Sequence, residues 1–98
     1  MGDRKHSLMS DTRECLICKS TYNIVVHHIY EGNGRRSVSD REGAWCYLCA
    51  YHHNMSKWGV HFNKPLDLKL KKECQERWME ANNATVEDFI KVFSKSYI

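Results

Sequence analysis

Cysteine and histidine residues recur through the first 61 positions of this chain in numbers that a single metal ion cannot use. They form two Cys-x2-Cys pairs, two His-His doublets and one later histidine, at Cys15 and Cys18, Cys46 and Cys49, His27 and His28, His52 and His53, and His61. A structural zinc ion takes four thiolate or imidazole ligands in tetrahedral geometry. The surplus therefore predicts a closed zinc site and a second, open ion site that is held by a histidine pair and one further histidine.

The size and composition of the chain favour metal ligation over disulfides. A chain of 98 residues makes one domain, and a domain this short commonly needs a metal or a disulfide to stabilise its small core. Five cysteines cannot all pair, and the polar segment Met1–Glu14 does not resemble a secretory signal, so we expect a cytoplasmic protein. No apolar run reaches the roughly 18 residues of a membrane helix. The net charge of +3 is compatible with nucleic-acid binding.

Hydrophobic patterning predicts one α+β domain over residues 15–98, preceded by a flexible lead-in over residues 1–14. Its metal-rich part, residues 15–63, is expected to contain a strand, a loop, a second strand and a short helix. These elements are predicted at Tyr22–Tyr30, Glu31–Gly43, Ala44–Leu48 and from Cys49 to near Gly59, respectively.

Two more helices are predicted in the C-terminal part, residues 66–98. Apolar residues recur every four positions through Leu66–Ala81, which indicates an amphipathic helix with a charged outer face. Thr85 with Asp88 three residues later resembles a capping box, the usual start of a helix. We therefore expect a last short helix that begins just after Thr85.

The geometry of strands and helices divides the ligands between the two sites. Adjacent side chains point to opposite faces of a strand and about 100° apart on a helix, so the two members of a doublet cannot comfortably share one tetrahedral site. Cys49 and His52 lie on one helix face and can close a zinc site with Cys15 and Cys18. Cys46 is the alternative fourth ligand, although a thiol in an apolar strand also behaves as a small buried hydrophobe.

His53 then points away from the zinc site and towards the first histidine doublet. One of His27 and His28 would ligate a divalent ion there together with His53. The other would stay free as a general base for water.

The same sequence blocks resemble an HNH endonuclease domain, also called a ββα-metal or His-Me finger domain. The resemblance is to small phage and prophage HNH proteins with a structural zinc, and it extends from Cys15 to Trp78. It rests on Cys15-Leu-Ile-Cys18, His27-His-Ile29, Gly34-Arg-Arg-Ser-Val-Ser-Asp40, Leu48-Cys-Ala-Tyr-His-His-Asn54 and Val60-His-Phe-Asn63.

The resemblance implies a division of roles within the second site. His27, His53 and His61 would hold a catalytic divalent ion such as Mg²⁺, Mn²⁺, Ni²⁺ or Zn²⁺, and His28 would be the general base. The implied activity is hydrolysis of DNA phosphodiester bonds by a phage-encoded endonuclease or nickase in the host cytoplasm. Three arginines of the loop, Arg35, Arg36 and Arg41, could pair with DNA phosphates.

One departure from the HNH pattern concerns the residue that tethers the loop. Many HNH domains have an asparagine at the position of Ala44, and Asn33 or Asp40 could take its place. A non-catalytic protein with the same zinc-stabilised fold, which binds nucleic acid or inhibits a host defence protein, is the alternative function. Such a protein would need only the zinc ligands.

Overall fold

A computed structural model describes residues 6–30, 35–56 and 58–98, with only the backbone described at Arg35. It is a small α+β fold in which a two-stranded antiparallel sheet is combined with helices. The elements in chain order are β1 (Ile24–His28), α1 (Arg35–Glu42), β2 (Trp45–Cys49), α2 (Ala50–His53), a single 3-10 turn (Val60–Phe62), α3 (Lys64–Asn82) and α4 (Val86–Phe93).

The sheet places the strand histidines and the second cysteine pair in fixed register. His27 lies opposite Cys46 and His28 opposite Trp45, while Ile24 at the other end of β1 lies opposite Cys49. The two predicted strands are confirmed, each with slightly different ends. Cys49 is thus the last residue of β2 and immediately precedes α2, so the strand delivers its thiol to the start of the helix.

The predicted loop Glu31–Gly43 is wrong over its second half, which forms helix α1. Residues 31–34 lie outside the described residues. The fully buried residue of α1, Ser39, is polar, which is why the apolar pattern did not reveal the helix. Its Oγ donates to the Tyr30 carbonyl (2.9 Å), and the Tyr30 N–H donates back to it (3.3 Å). The helix ends before Gly43, whose φ of +78° is the left-handed conformation that favours glycine.

The predicted C-terminal helices are confirmed and form the main apolar core. Helix α3 begins two residues earlier than expected because Asn63 caps it, accepting from the Leu66 N–H (3.2 Å), and Pro65 is compatible with a first turn. The capping box of Thr85 and Asp88 is present at the start of α4. In this core the ring of Tyr30, two residues beyond β1, and that of Trp78 of α3 both pack with the rings of Phe89 and Phe93 of α4. Over the described ranges, none of the helices is both long and apolar enough to cross a membrane.

The expected flexible lead-in is corrected for the segment just before Cys15. Ser7, Met9 and Ser10 are buried. Ser7 Oγ hydrogen-bonds to the Trp45 carbonyl, and the Leu8 N–H donates to the Gly43 carbonyl (2.9 Å). The segment therefore packs along β2 through polar contacts that hydrophobicity does not predict. Residues 1–5 lie outside the described residues.

Candidate metal centres

The first candidate centre, here called the knuckle cluster, consists of Cys15, Cys18, Cys49 and His52. One ligand atom from each of the four lies within 4.8 Å of the others, so the group could hold a metal ion. A tight turn presents the first two thiols: the Cys15 N–H donates to the Ser20 carbonyl (2.8 Å) and the Lys19 N–H to the Cys15 carbonyl (2.9 Å). The Leu16 N–H donates to the Tyr47 carbonyl (2.9 Å), which fixes this turn against β2.

Three distances between ligand atoms of the knuckle cluster are close to those of a tetrahedral zinc site. His52 Nδ1 lies 3.3 Å from Cys49 Sγ and 3.7 Å from Cys15 Sγ, and the Cys18 and Cys49 sulfurs are 3.7 Å apart. Zinc bonds of about 2.3 Å to sulfur and about 2.0 Å to nitrogen, at tetrahedral angles, separate the ligand atoms by about 3.5–3.8 Å. The donor set and its geometry are thus compatible with structural zinc.

The charge state of Cys15 also suits a metal ligand. Its burial acts to raise the pKa of the thiol, but hydrogen bonds from the backbone at Cys49, Cys18 and Ile17 outweigh this and lower the pKa. A lowered pKa favours the thiolate, which is the form that binds metal.

Cys46, the alternative fourth ligand, lies outside the knuckle cluster. Its side chain is fully buried and burial raises the pKa of its thiol, as expected for an unligated cysteine in an apolar environment. The geometry therefore favours the Cys3His set with His52 over the four-cysteine set.

The second candidate centre, here called the histidine cluster, consists of His27, His53 and His61. One ring nitrogen from each lies within 4.8 Å of the others, and the group could hold a metal ion. His53 Nε2 and His61 Nε2 are 3.0 Å apart. Both imidazoles meet the His27 ring edge-on, with centroid separations of 5.4 Å. The three histidines come from β1, α2 and the 3-10 turn, so the cluster is assembled from distant parts of the sequence.

His27 is the buried member of the histidine cluster. Its Nε2 is inaccessible to solvent and has no hydrogen-bond partner among the described residues, although buried polar atoms are usually satisfied. Burial, followed by the neighbouring His53 and His61, lowers the pKa of His27 to about 3. The ring is therefore neutral over the physiological range, and a neutral imidazole is the form that ligates metals.

A close backbone approach at Gly59 brings His61 to the cluster. A Cβ at this glycine would lie 2.8 Å from the His53 carbonyl oxygen, closer than such contacts occur. The absence of a side chain lets the chain pass directly over the end of α2, and the following 3-10 turn then directs His61 back towards His53.

His28 lies beside the histidine cluster and has a different partner. Its Nε2 is 2.9 Å from Oδ1 of Asp40 on α1, and only 12% of its side chain is exposed. His28 lines the same cavity of about 240 Å³ as the three clustered histidines, together with Val26 and Arg36. The cavity thus contains three candidate ligands, one further histidine and one guanidinium group.

The three arginines expected to contact DNA lie in different environments in the structure. Arg36 lines the cavity, whereas Arg41 lies largely exposed with its Nε 3.5 Å from a carboxylate oxygen of Glu42. The side chain of Arg35 lies outside the described residues.

The position of the expected tether is held by backbone contacts instead of an asparagine side chain. The Ala44 N–H donates to the Ser39 carbonyl (2.8 Å), and the Ile29 N–H donates to the Ala44 carbonyl (3.0 Å). Asn33, one suggested substitute, lies outside the described residues. Asp40, the other, contacts His28 directly, a pairing that sequence analysis missed because the intervening helix was not predicted.

Comparisons of the chain with protein-family models, with curated proteins and with solved structures found no match in any of the three.

Proposed function

We propose that this protein is a metal-dependent endonuclease or nickase of the HNH type, which hydrolyses DNA phosphodiester bonds. The observation that carries the proposal is the cavity shared by the histidine cluster, His28 and Arg36. A structural zinc site needs none of these residues, because the knuckle cluster already supplies four ligands.

The donor chemistry of the histidine cluster fits a divalent ion. Three imidazole ligands leave coordination positions open, as in catalytic sites, while the closed Cys3His set is typical of structural ones. When bound, a divalent ion would supply positive charge that stabilises the pentavalent phosphate and its leaving oxygen.

The remaining residues of the cavity supply the other parts of a hydrolytic reaction. His28 would accept a proton from a water molecule as the water oxygen bonds to phosphorus and the bond from phosphorus to the 3′ oxygen breaks. The Arg36 guanidinium would contact a non-bridging phosphate oxygen, for which its paired N–H groups are suited. A phage origin and a protein partner are further parts of the proposal that rest on the sequence resemblance alone.

The test is incubation of the zinc-loaded protein with supercoiled plasmid and Mg²⁺, Mn²⁺, Ni²⁺ or Zn²⁺ in turn. We expect conversion to nicked or linear DNA with at least one ion, and no conversion after chelation. The His28→Ala variant, purified in parallel, controls for a contaminating nuclease. Absence of cleavage with every ion would reject the nuclease and favour a non-catalytic nucleic-acid or protein binder.

Metal content gives a second, independent criterion. A nuclease of this kind should hold one tightly bound zinc ion and one exchangeable ion per chain. A binder stabilised by the knuckle cluster alone should hold one ion.

A further inference from the structure

We infer that Asp40 is a positioning residue for His28: it fixes the imidazole ring and places the ring proton on Nε2. This leaves Nδ1 as the nitrogen that can accept a proton. The role in catalysis rests on the proposed function, whereas the fixed tautomer is a property of the protein that can be observed without any cleavage.

The chemistry of the two side chains determines the direction of the hydrogen bond. An ionised carboxylate only accepts hydrogen bonds, and a neutral imidazole has one donor and one acceptor nitrogen. With Oδ1 of Asp40 2.9 Å from Nε2 of His28, Nε2–H must be the donor. The proton of the neutral ring is then on Nε2, and the lone pair is on Nδ1.

The two partners are carried by different elements of the fold, β1 and α1. His28 ends β1, where it lies opposite Trp45 in the sheet. Asp40 lies on α1, and the neighbouring Ser39 is bonded reciprocally to the backbone of Tyr30, two residues beyond His28. The carboxylate is therefore carried by a helix that is bonded to the chain just beyond β1, which limits the positions the imidazole can take.

The contact is also partly shielded from water. The side chain of His28 is 12% exposed and that of Asp40 is 32% exposed. A contrasting pair occurs near the N-terminus, where His6 Nε2 and Asp11 Oδ1 are 3.8 Å apart and the side chains are 77% and 97% exposed. Solvent competes strongly for the groups of that second pair, which makes Asp11 a matched control for Asp40.

The first measurement is NMR of the zinc-loaded, uniformly ¹⁵N-labelled full-length protein. We expect a protected Nε2–H resonance for His28, assigned by its loss in His28→Ala. It should disappear in Asp40→Ala and persist in Asp11→Asn. Absence of the resonance from the wild type, or its persistence in Asp40→Ala, would overturn the inference whatever the cleavage assay shows.

The second measurement is the rate of plasmid nicking. Asp40→Ala should lower kcat by about 10-fold to 100-fold, the scale known for removing the hydrogen-bond partner of a metal-ligating histidine, with KM within about twofold. Asp40→Glu, which keeps a carboxylate, should recover a large part of kcat, and Asp11→Asn should leave it unchanged. A wild-type kcat in Asp40→Ala would overturn the catalytic role of Asp40, whereas failure of the wild type to cleave would reject the proposed function and leave the NMR result to decide the pairing.

Discussion

His53 and His61 face each other through their Nε2 atoms at a distance of 3.0 Å. Two imidazole nitrogens this close must share either a proton or a cation, because two facing lone pairs repel each other. A shared proton satisfies only two nitrogens, and His27 brings a third ring nitrogen within 4.8 Å of both. A cation bound by the cluster would give each of the three rings a partner, and Nε2 of His27 has no hydrogen-bond partner among the described residues.

The first prediction concerns the affinity of the histidine cluster for a divalent ion. His53→Ala and His61→Ala should each raise the Kd for Mn²⁺ or Ni²⁺, measured by isothermal titration, by at least about tenfold, because each removes a ligand and even an outer partner of a ligand is worth this much. His6→Ala, a change at an exposed histidine outside the cluster, should leave the Kd unchanged. Equal affinities in all three variants would show that the ion binds elsewhere.

The second prediction separates the geometry of the cluster from the stability of the fold. A methyl group at Gly59 would collide with the carbonyl of His53, so Gly59→Ala should move His53 and His61 apart and weaken Mn²⁺ binding. At Gly43 the added Cβ would lie 2.6 Å from the His6 carbonyl oxygen, and φ is positive.

Gly43→Ala is therefore the matched control, because its strain should affect the stability of the fold and not the histidine cluster. It should lower the free energy of unfolding by about 1–3 kcal/mol, the usual range for strain of this kind. Its Kd for Mn²⁺ should stay at the wild-type value. The interpretation of Gly59 would be contradicted if the two glycine variants bound Mn²⁺ equally well.

The third prediction is that a zinc ion in the knuckle cluster is required for folding. Binding at such a site contributes about 10–16 kcal/mol, as much as the whole stability of a typical domain. The Cys15→Ser and Cys49→Ser variants should therefore be insoluble, or unfolded as measured by circular dichroism.

Cys46 provides the control for these cysteine variants. Cys46→Ala should fold and retain the zinc, measured by elemental analysis. Its free energy of unfolding should fall by about 1 kcal/mol, because the substitution leaves a small cavity. Loss of zinc in Cys46→Ala together with its retention in His52→Ala would instead identify a four-cysteine site.

The two clusters could be predicted because their spacing follows the periods of regular structure. The three-residue spacing predicts that Cys49 and His52 lie together and that His53 points away from them. In the structure Cys49 is the residue just before α2, and its sulfur still lies 3.3 Å from His52 Nδ1. The place of His61 could not be derived in this way. It depends on the close approach at Gly59, which is a property of the folded chain and leaves no periodic signal.

The elements that sequence analysis missed are those that are buried through polar contacts. Helix α1 buries Ser39, and its Glu42 accepts a hydrogen bond from Trp78 Nε1 (3.0 Å). The segment before Cys15 buries Ser7 and Ser10. Hydrophobic patterning treats such residues as exposed, so it assigned these segments to a loop and a flexible lead-in, and the pairing of Asp40 with His28 was missed as a result.

The last prediction tests the role of His28 as general base. His28 lies outside the histidine cluster but lines the same cavity, so His28→Ala should leave zinc content, Mn²⁺ affinity and DNA binding near the wild type. Nicking of supercoiled plasmid should fall by about two orders of magnitude or more, the scale of losing a general base. His6→Ala should nick at the wild-type rate. A His28→Ala protein that cleaves as fast as the wild type would reject this mechanism, because the proton would then be leaving to another acceptor.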